Sequence, residues 1–144
     1  MSLLGSFGAY TSPAVETKEQ SGVENTTVPG AFFARADAEA NLVALRRKTL
    51  GLWEELTWRD YRRGVRAVAA ALIDSGVQAG EAVGLISENR VEWLFADLGI
   101  LSTGAVTCAM YTTSAVAQIE YITTHIEAEI VPVLLFDQDM ETRI

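Results

Sequence analysis

Downstream of residue 57 the chain alternates between short apolar runs and longer stretches in which apolar residues recur every three or four positions. The runs cover residues 82–86, 105–110 and 130–136, a length and composition typical of buried strands. The stretches between them have the period of amphipathic helices. Strand, helix, strand, helix and strand at this spacing are typical of right-handed crossovers in a parallel sheet. The pattern therefore predicts an α/β fold, a parallel layered sheet with crossover helices.

Capping residues predict where these helices begin and end. Thr57 and Asp60 have capping-box spacing, and Gly76 follows the first helix as a left-handed C-terminal cap. Asn89 with Glu92 offers a second capping box. A third helix is predicted to begin at one of two hydroxyl residues and to turn four apolar side chains inward: Thr113 or Ser114, then Val116, Ile119, Ile122 and Ile126.

Both ends of the chain differ from this middle part. Residues 1–29 are rich in Ser, Thr, Gly, Glu and Pro without periodicity, which predicts a flexible N-terminal tail before a domain over residues 30–144. A short helix over residues 31–38 should turn Phe32 and Phe33 inward. Strands at 42–45 and 50–58, separated by polar residues 46–49, predict a β-hairpin. Residues 137–144 resemble the capped start of another helix, so we expect the domain to continue past Ile144. Pro132 weakens the predicted strand before this helix because it cannot donate a ladder hydrogen bond.

Charge narrows the possible partners. The net charge of −8 over 144 residues disfavours nucleic-acid binding and makes attraction to anionic lipid improbable from charge alone. Residues 41–66 nevertheless carry seven basic against three acidic side chains. This basic group suits either a solvated helix face, which we favour, or contact with a ligand phosphate; its members are Arg46, Arg47, Lys48, Arg59, Arg62, Arg63 and Arg66.

An uncharged run over residues 98–119 approaches membrane-spanning length. Gly, Ser, Thr and Gln interrupt it, so it predicts a helix end, a turn, a strand and a turn, and no transmembrane segment. The first ten residues lack the features of a secretory signal, and a cytoplasmic location is expected.

The only cysteine, Cys108, is predicted to be a buried thiol. A catalytic dyad of Cys108 with His125 is less favoured than a helix-end role for that histidine.

A ligand site in such a sheet would lie in the loops that follow its strands. These loops cover residues 87–90, 111–114 and 137–139. Glu88 with Asp137 or Asp139 could form a carboxylate pair or a hard-metal site, although capping and turn roles explain these residues more simply. No glycine-rich phosphate motif and no zinc-ligand set is present in the sequence. The residues alone predict a fold and assign no catalytic, cofactor-binding or metal-binding residue.

Three segments, in order, resemble the opening of the AMP-forming acyl-CoA synthetase family, the adenylate-forming or AMP-binding enzymes. They are LWEELTWRDY at 52–61, GVQAGEAVGLISENR at 76–90 and EWLFADLGILSTGAVTCAMY at 92–111. The segment ALRRKTLGLW at 44–53 looks closest to long-chain fatty-acid CoA ligases. Cys108, Ala109 and Met110 stand where the family often has a proline-containing passage.

The resemblance implies the N-terminal part of a larger adenylate-forming domain, truncated at its C-terminal end. The full-length parent would be an ATP-dependent ligase that joins a fatty acid to CoA through an acyl-adenylate, using ATP, Mg²⁺ and CoA. The family's phosphate loop, its acidic Mg²⁺ residue and its lid lysine match nothing here, so the fragment alone is expected to be inactive and to need the remainder of its own chain. Arg143 is implied at most as a phosphate contact near the CoA nucleotide, against a solvent-facing helix residue.

Two other functions remain open. One is a self-contained flavodoxin-like binding module without catalysis. The other keeps adenylation but transfers the acyl group to a carrier protein, so that the acceptor and the acyl chain length stay unassigned by the sequence.

Overall fold

The structure, a computed structural model, describes residues 27–126. Four helices and four strands follow one another in the order α1, β1, β2, α2, β3, α3, β4 and α4. The helices are α1 Val28–Ala38, α2 Trp58–Asp74, α3 Val91–Ser102 and α4 Val116–His125. The strands are β1 Val43–Thr49, β2 Leu52–Thr57, β3 Ala82–Ile86 and β4 Val106–Met110.

Strands β3 and β4 form a parallel pair connected by α3. Ala82 lies opposite Val106 and Ile86 lies opposite Met110. Four of the five β3 residues are buried, as expected for an apolar strand covered on both faces. The predicted α/β fold with a parallel crossover unit is therefore confirmed over this part, whereas the expected strand at 130–136 and helix start at 137–144 lie outside the described residues.

Strands β1 and β2 form the predicted hairpin, but the expected strand bounds were wrong. Residues 46–49, taken as a polar connection, belong to β1, because Arg46 pairs with Glu55 and Arg47 with Glu54 across the ladder. Opposite charges on facing residues stabilise an antiparallel pair. The turn contains only Leu50 and Gly51, both with positive φ of 50° and 82°. Positive φ at both central residues is the requirement of a type I′ hairpin turn.

Helix α1 begins earlier than predicted. Thr27 is its N-cap and accepts a hydrogen bond from Gly30 N at 3.2 Å. Val28 and Pro29, assigned from sequence to the tail, form the first turn, where proline is well tolerated because that N–H has no helical partner. The remaining tail residues, 1–26, lie outside the described part. Phe32 is buried and Phe33 half-buried, as predicted.

Helix α2 confirms both predicted caps. Asp60 N donates to Thr57 Oγ1 at 3.2 Å, and Thr57 N donates to Asp60 Oδ2 at 3.1 Å. Hydrogen bonds from the Thr57 hydroxyl and backbone lower the pKa of the Asp60 carboxyl. At the other end Gly76 has a φ of 95°, and Val77 N donates to Leu72 O at 3.1 Å. This is the Schellman arrangement, in which the glycine reverses the chain and both apolar residues are buried.

The predicted caps of α3 and α4 were wrong. Arg90, not Asn89, is the N-cap of α3, and no side chain caps that end. Ala115 precedes α4, and its N–H donates to Gln118 Oε1 at 3.0 Å, so neither predicted hydroxyl residue caps the helix. Val116, expected to point inward, is 81% exposed because it lies in the first turn of a helix that buries none of its residues.

Two apolar clusters form the core. The sheet cluster lies around the parallel strands and contains Leu72, Val77, Val83, Leu85, Ala96, Ile100 and Ala105. The hairpin cluster contains Phe32, Tyr61 and Val65, against which Phe95 and residues of the hairpin pack. Helices α2 and α3 contribute to both clusters, and glycines allow their close approach. A Cβ on Gly99 would lie 2.6 Å from Val68 Cγ1, and one on Gly64 would lie 2.7 Å from Phe95 Cδ2.

Candidate functional site

The carboxyl ends of β3 and β4 meet at one edge of the sheet because the two strands are parallel. The loop 87–90 follows β3 and the loop 111–114 follows β4. This edge is where open α/β sheets bind their ligands. Two of the three loops predicted to form a site are therefore adjacent, while the third, 137–139, lies outside the described residues.

The loop after β3 has no catalytic geometry. Ser87 Oγ donates to the Glu88 carbonyl oxygen at 3.1 Å, so its hydroxyl is not hydrogen-bonded to a side-chain base. Glu88 and Asn89 are exposed. The carboxylate pair proposed for Glu88 stays a prediction because Asp137 and Asp139 are not described. Among residues 27–126 no three His, Cys, Asp or Glu side chains lie close enough to hold a metal ion.

Cys108 and His125 do not form a dyad. Cys108 is half-buried in β4, a less complete burial than the sequence predicted. His125 is exposed near the end of α4, where its ring stacks on Tyr121 with centroids 5.7 Å apart. No hydrogen bond joins the thiol to the imidazole in the described region. The preferred interpretation of His125 as a helix-end residue agrees with its position in the last turn of α4.

A cleft with a volume of about 750 Å³ lies between the hairpin and the first turns of α3. Strand β1 and Trp53 form one wall, and residues 89–94 form the other. Four cationic side chains line it: Arg46, Arg47, Lys48 and Arg90. This cleft was not foreseen from the sequence, because its two walls are separated by about half of the described chain.

Arg47 ties the two walls together. Its Nε donates to Glu54 Oε2 at 2.7 Å, and its Nη1 donates to Glu92 Oε1 at 2.9 Å. Arg90 Nε also lies 3.6 Å from Glu92 Oε2. Sequence reasoning placed Glu92 in a capping box, whereas in the structure its carboxylate binds two arginines and fixes the hairpin against α3.

The basic group predicted as a solvated face divides between two surfaces. Arg46 and Arg47 lie on the hairpin, where they bind glutamates. On α2 a shallow groove of about 330 Å³ is lined entirely by four arginines, Arg59, Arg62, Arg63 and Arg66. Two of these bind carboxylates, those of Asp37 and Asp60. The helical part of the group agrees with the favoured interpretation, since three of its four arginines are exposed.

Comparison with known proteins identifies the family. The sequence profile of the AMP-binding enzyme family matches residues 32–142, more than three quarters of the chain. The chain belongs to the AMP-binding enzyme family. The resemblance noted from the segments around the hairpin, β3 and α3 is thereby confirmed.

Two relatives and one solved structure are similar to this chain. The long-chain-fatty-acid–CoA ligase FadD15 of Mycobacterium tuberculosis is 34% identical over 105 residues, which are 73% of this chain and 18% of the relative. The protein Rv1549 of the same organism is 37% identical over 114 residues, 78% of this chain and 64% of the relative. The fatty acid AMP ligase from Legionella pneumophila has a TM-score of 0.73 at 20% identity, covering 83% of this chain and 21% of that one, and it shows the shared fold.

The chain thus spans less than a fifth of the length of FadD15 and less than two thirds of Rv1549. The single lysine of the described residues, Lys48, lies on β1 rather than in a Ser/Thr/Gly-rich loop, and no acidic cluster suited to a metal is present among them. No helix within residues 27–126 is long and apolar enough to cross a membrane.

Proposed function

We propose that this chain is the N-terminal structural part of an ATP-dependent, AMP-forming ligase that activates a fatty acid as its acyl-adenylate. The observation that carries the proposal is the parallel β3–α3–β4 unit inside a segment matched by the AMP-binding family. Such a unit brings two strand ends to one edge, the position at which α/β enzymes assemble their ligand sites.

The role of this part is to support that edge rather than to supply the chemistry. Buried strand β3 and helix α3 fix the loop that follows β3, and the Arg47–Glu92 pair fixes the hairpin against the same helix. The groups that bind ATP and Mg²⁺ and polarise the reacting carboxylate come, in this proposal, from the remainder of a longer chain. The 144 residues alone are accordingly inactive.

The proposed acceptor is supported by one of the relatives named above. FadD15 is a CoA ligase, and it matches the segment that looked closest to long-chain fatty-acid ligases. CoA is therefore the proposed acceptor, with ATP and Mg²⁺ as co-reactants and the cytoplasm as the site of action. Transfer to a carrier protein is the second candidate acceptor.

A chimera with FadD15 tests the proposal. The matched 105-residue segment of FadD15 is replaced by the corresponding segment of this chain, and fatty-acid-dependent formation of acyl-CoA and pyrophosphate is measured. We expect activity well above that of FadD15 lacking the segment, and none from the 144-residue chain alone.

Acyl-adenylate formation by the isolated chain would disprove the structural role. A chimera that is folded by circular dichroism but no more active than truncated FadD15 would disprove the shared ligase function. A chimera carrying Gly99→Leu is the matched control, because the substitution disrupts α2–α3 packing without touching the strand-end loops.

A further inference from the structure

The tip of the hairpin, residues 50–53, exposes large apolar side chains next to each other. Leu50 is 78% exposed, Leu52 75% and Trp53 70%. Single exposed apolar residues are common on protein surfaces, but three within four residues at the end of one hairpin form a patch. We propose that this tip inserts into the interfacial region of a phospholipid bilayer.

The conformation of Leu50 indicates that its side chain is not there to stabilise the turn. Its φ of 50° lies in the left-handed region, where Asn, Asp or Gly is favoured and Leu is not. The same side chain is largely in water. A residue that is unfavourable both for backbone conformation and for solvation points to a role outside the fold, since backbone strain of this kind is concentrated at functional positions.

Cationic side chains flank the apolar tip, as they do in proteins that bind a bilayer interface. Lys48 and Trp53 are opposite partners in the ladder, so their side chains share one face of the hairpin. Lys48 has no carboxylate partner among residues 27–126. Arg46 binds Glu55 only in an exposed pair, which a lipid phosphate can replace at little cost. Tryptophan beside lysine and arginine is the composition of membrane-interface belts.

The net charge of −8 does not oppose this contact strongly. At physiological ionic strength charges more than about 8 Å apart are largely screened, so the acidic residues elsewhere in the chain act weakly at the tip. Within the hairpin, Arg46, Arg47 and Lys48 outnumber Glu54 and Glu55. The charge that a lipid phosphate would meet locally is positive.

The hairpin is also held against α3 just below its tip. Arg47 fixes the ladder to Glu92 of α3, and three residues of each strand and turn lie beyond its pair with Glu54. At about 3.3 Å per residue these extend about 10 Å, comparable with the depth at which interfacial segments are buried in a bilayer. The tip is therefore part of a hairpin that is anchored to α3, and it is not a free loop end.

Vesicle co-sedimentation of the 144-residue chain tests the proposal, with vesicles of phosphatidylcholine and phosphatidylglycerol. We expect the chain to sediment with them and Leu50→Asn to lower the partition coefficient about tenfold, the effect of withdrawing one leucine from an apolar environment. Asparagine suits a type I′ turn, so this variant should be at least as stable to urea as the parent. Lost binding with retained stability cannot then be attributed to misfolding.

Two controls complete the experiment. Ile73→Gln removes another exposed apolar side chain, 59% exposed on α2 and away from the tip, and should leave binding unchanged. Lys48→Gln should weaken binding to the anionic vesicles by roughly fivefold and leave binding to pure phosphatidylcholine unchanged. Lipids brominated in their acyl chains should quench the fluorescence of the parent but not that of Trp53→Phe.

Absence of co-sedimentation would overturn the proposal, as would equal binding by the parent and Leu50→Asn. Concentration-dependent dimerisation that Leu50→Asn abolishes, without vesicle binding, would assign the tip to a second copy of the chain instead. None of these readouts depends on ligase activity, so failure here and failure of the FadD15 chimera are distinguishable.

Discussion

Gly99→Ala should destabilise the chain even though alanine is the better helix former. In α3 the added Cβ would lie 2.6 Å from Val68 Cγ1, 2.8 Å from Val68 Cβ and 3.3 Å from the backbone nitrogen of Ala69. Carbon atoms in contact prefer about 3.5–4.0 Å, so α2 and α3 would have to move roughly 1 Å apart. The neighbours are a β-branched side chain and backbone, and neither can rotate away.

The magnitude follows from two opposing effects. Replacing Gly by Ala in a helix interior is worth roughly 0.5–1 kcal/mol in favour of folding. Overpacking a close-packed interface costs typically about 1–3 kcal/mol. Because the contact involves backbone, we expect overpacking to win and the free energy of unfolding to fall by about 1–2 kcal/mol. Urea unfolding of the 144-residue chain, followed by far-ultraviolet circular dichroism, measures it.

Ala70→Gly on the exposed face of α2 gives the helix-propensity effect in this protein and should cost about 1 kcal/mol. Val68→Ala removes Cγ1, the atom nearest to the added Cβ. It should therefore lower the free energy of unfolding less in the Gly99→Ala variant than in the parent. A Gly99→Ala variant more stable than the parent by the propensity effect alone would show that the two helices are not packed this closely.

Three further predictions concern the hairpin cluster and its supports, each measured by urea unfolding. Thr57→Ala should lower stability by about 1 kcal/mol, since it removes the hydroxyl of the α2 capping box. Burial, with a smaller effect of Asp97, raises the pKa of the Tyr61 phenol to about 12, so stability should fall as the pH rises from 10.0 toward 12, and Tyr61→Phe should abolish that dependence. Arg47→Gln should cost about 1 kcal/mol, whereas Arg46→Gln, which breaks one exposed pair, should cost less than about 0.5 kcal/mol.

Each of these has a contradicting outcome. Unchanged stability in Thr57→Ala would mean that the capping box contributes nothing. A Tyr61→Phe variant with the alkaline sensitivity of the parent would place the responsible group elsewhere. Equal losses in the two arginine variants would show that the bridge from hairpin to α3 is no stronger than a surface pair.

The sequence predicted the parallel unit well because its signals are local. The apolar runs at β3 and β4 and the Thr57–Asp60 box depend only on residues within a few positions of one another. Gly76 likewise marks the end of α2 on its own, since left-handed backbone at a helix end favours glycine.

The errors arose where distant residues determine the structure. Residues 46–49 look like a loop because they are polar, yet glutamates across the ladder make them a strand. Glu92 has the spacing of a capping residue, but Arg47, 45 positions earlier, binds it instead. The cleft between hairpin and α3 was missed for the same reason. Val116 fits a helical stripe, and only the structure shows that its side chain is exposed.

Helices α2 and α3 belong to both apolar clusters, and this affects how the protein unfolds. Tyr61 and Val65 of α2 lie in the hairpin cluster, whereas Leu72 of the same helix lies in the sheet cluster. Neither cluster can separate from the rest without exposing part of a helix that the other needs. Amide protons of the paired helices should therefore exchange with solvent only when the whole unit opens, while α4, which buries no residue, exchanges through local fraying.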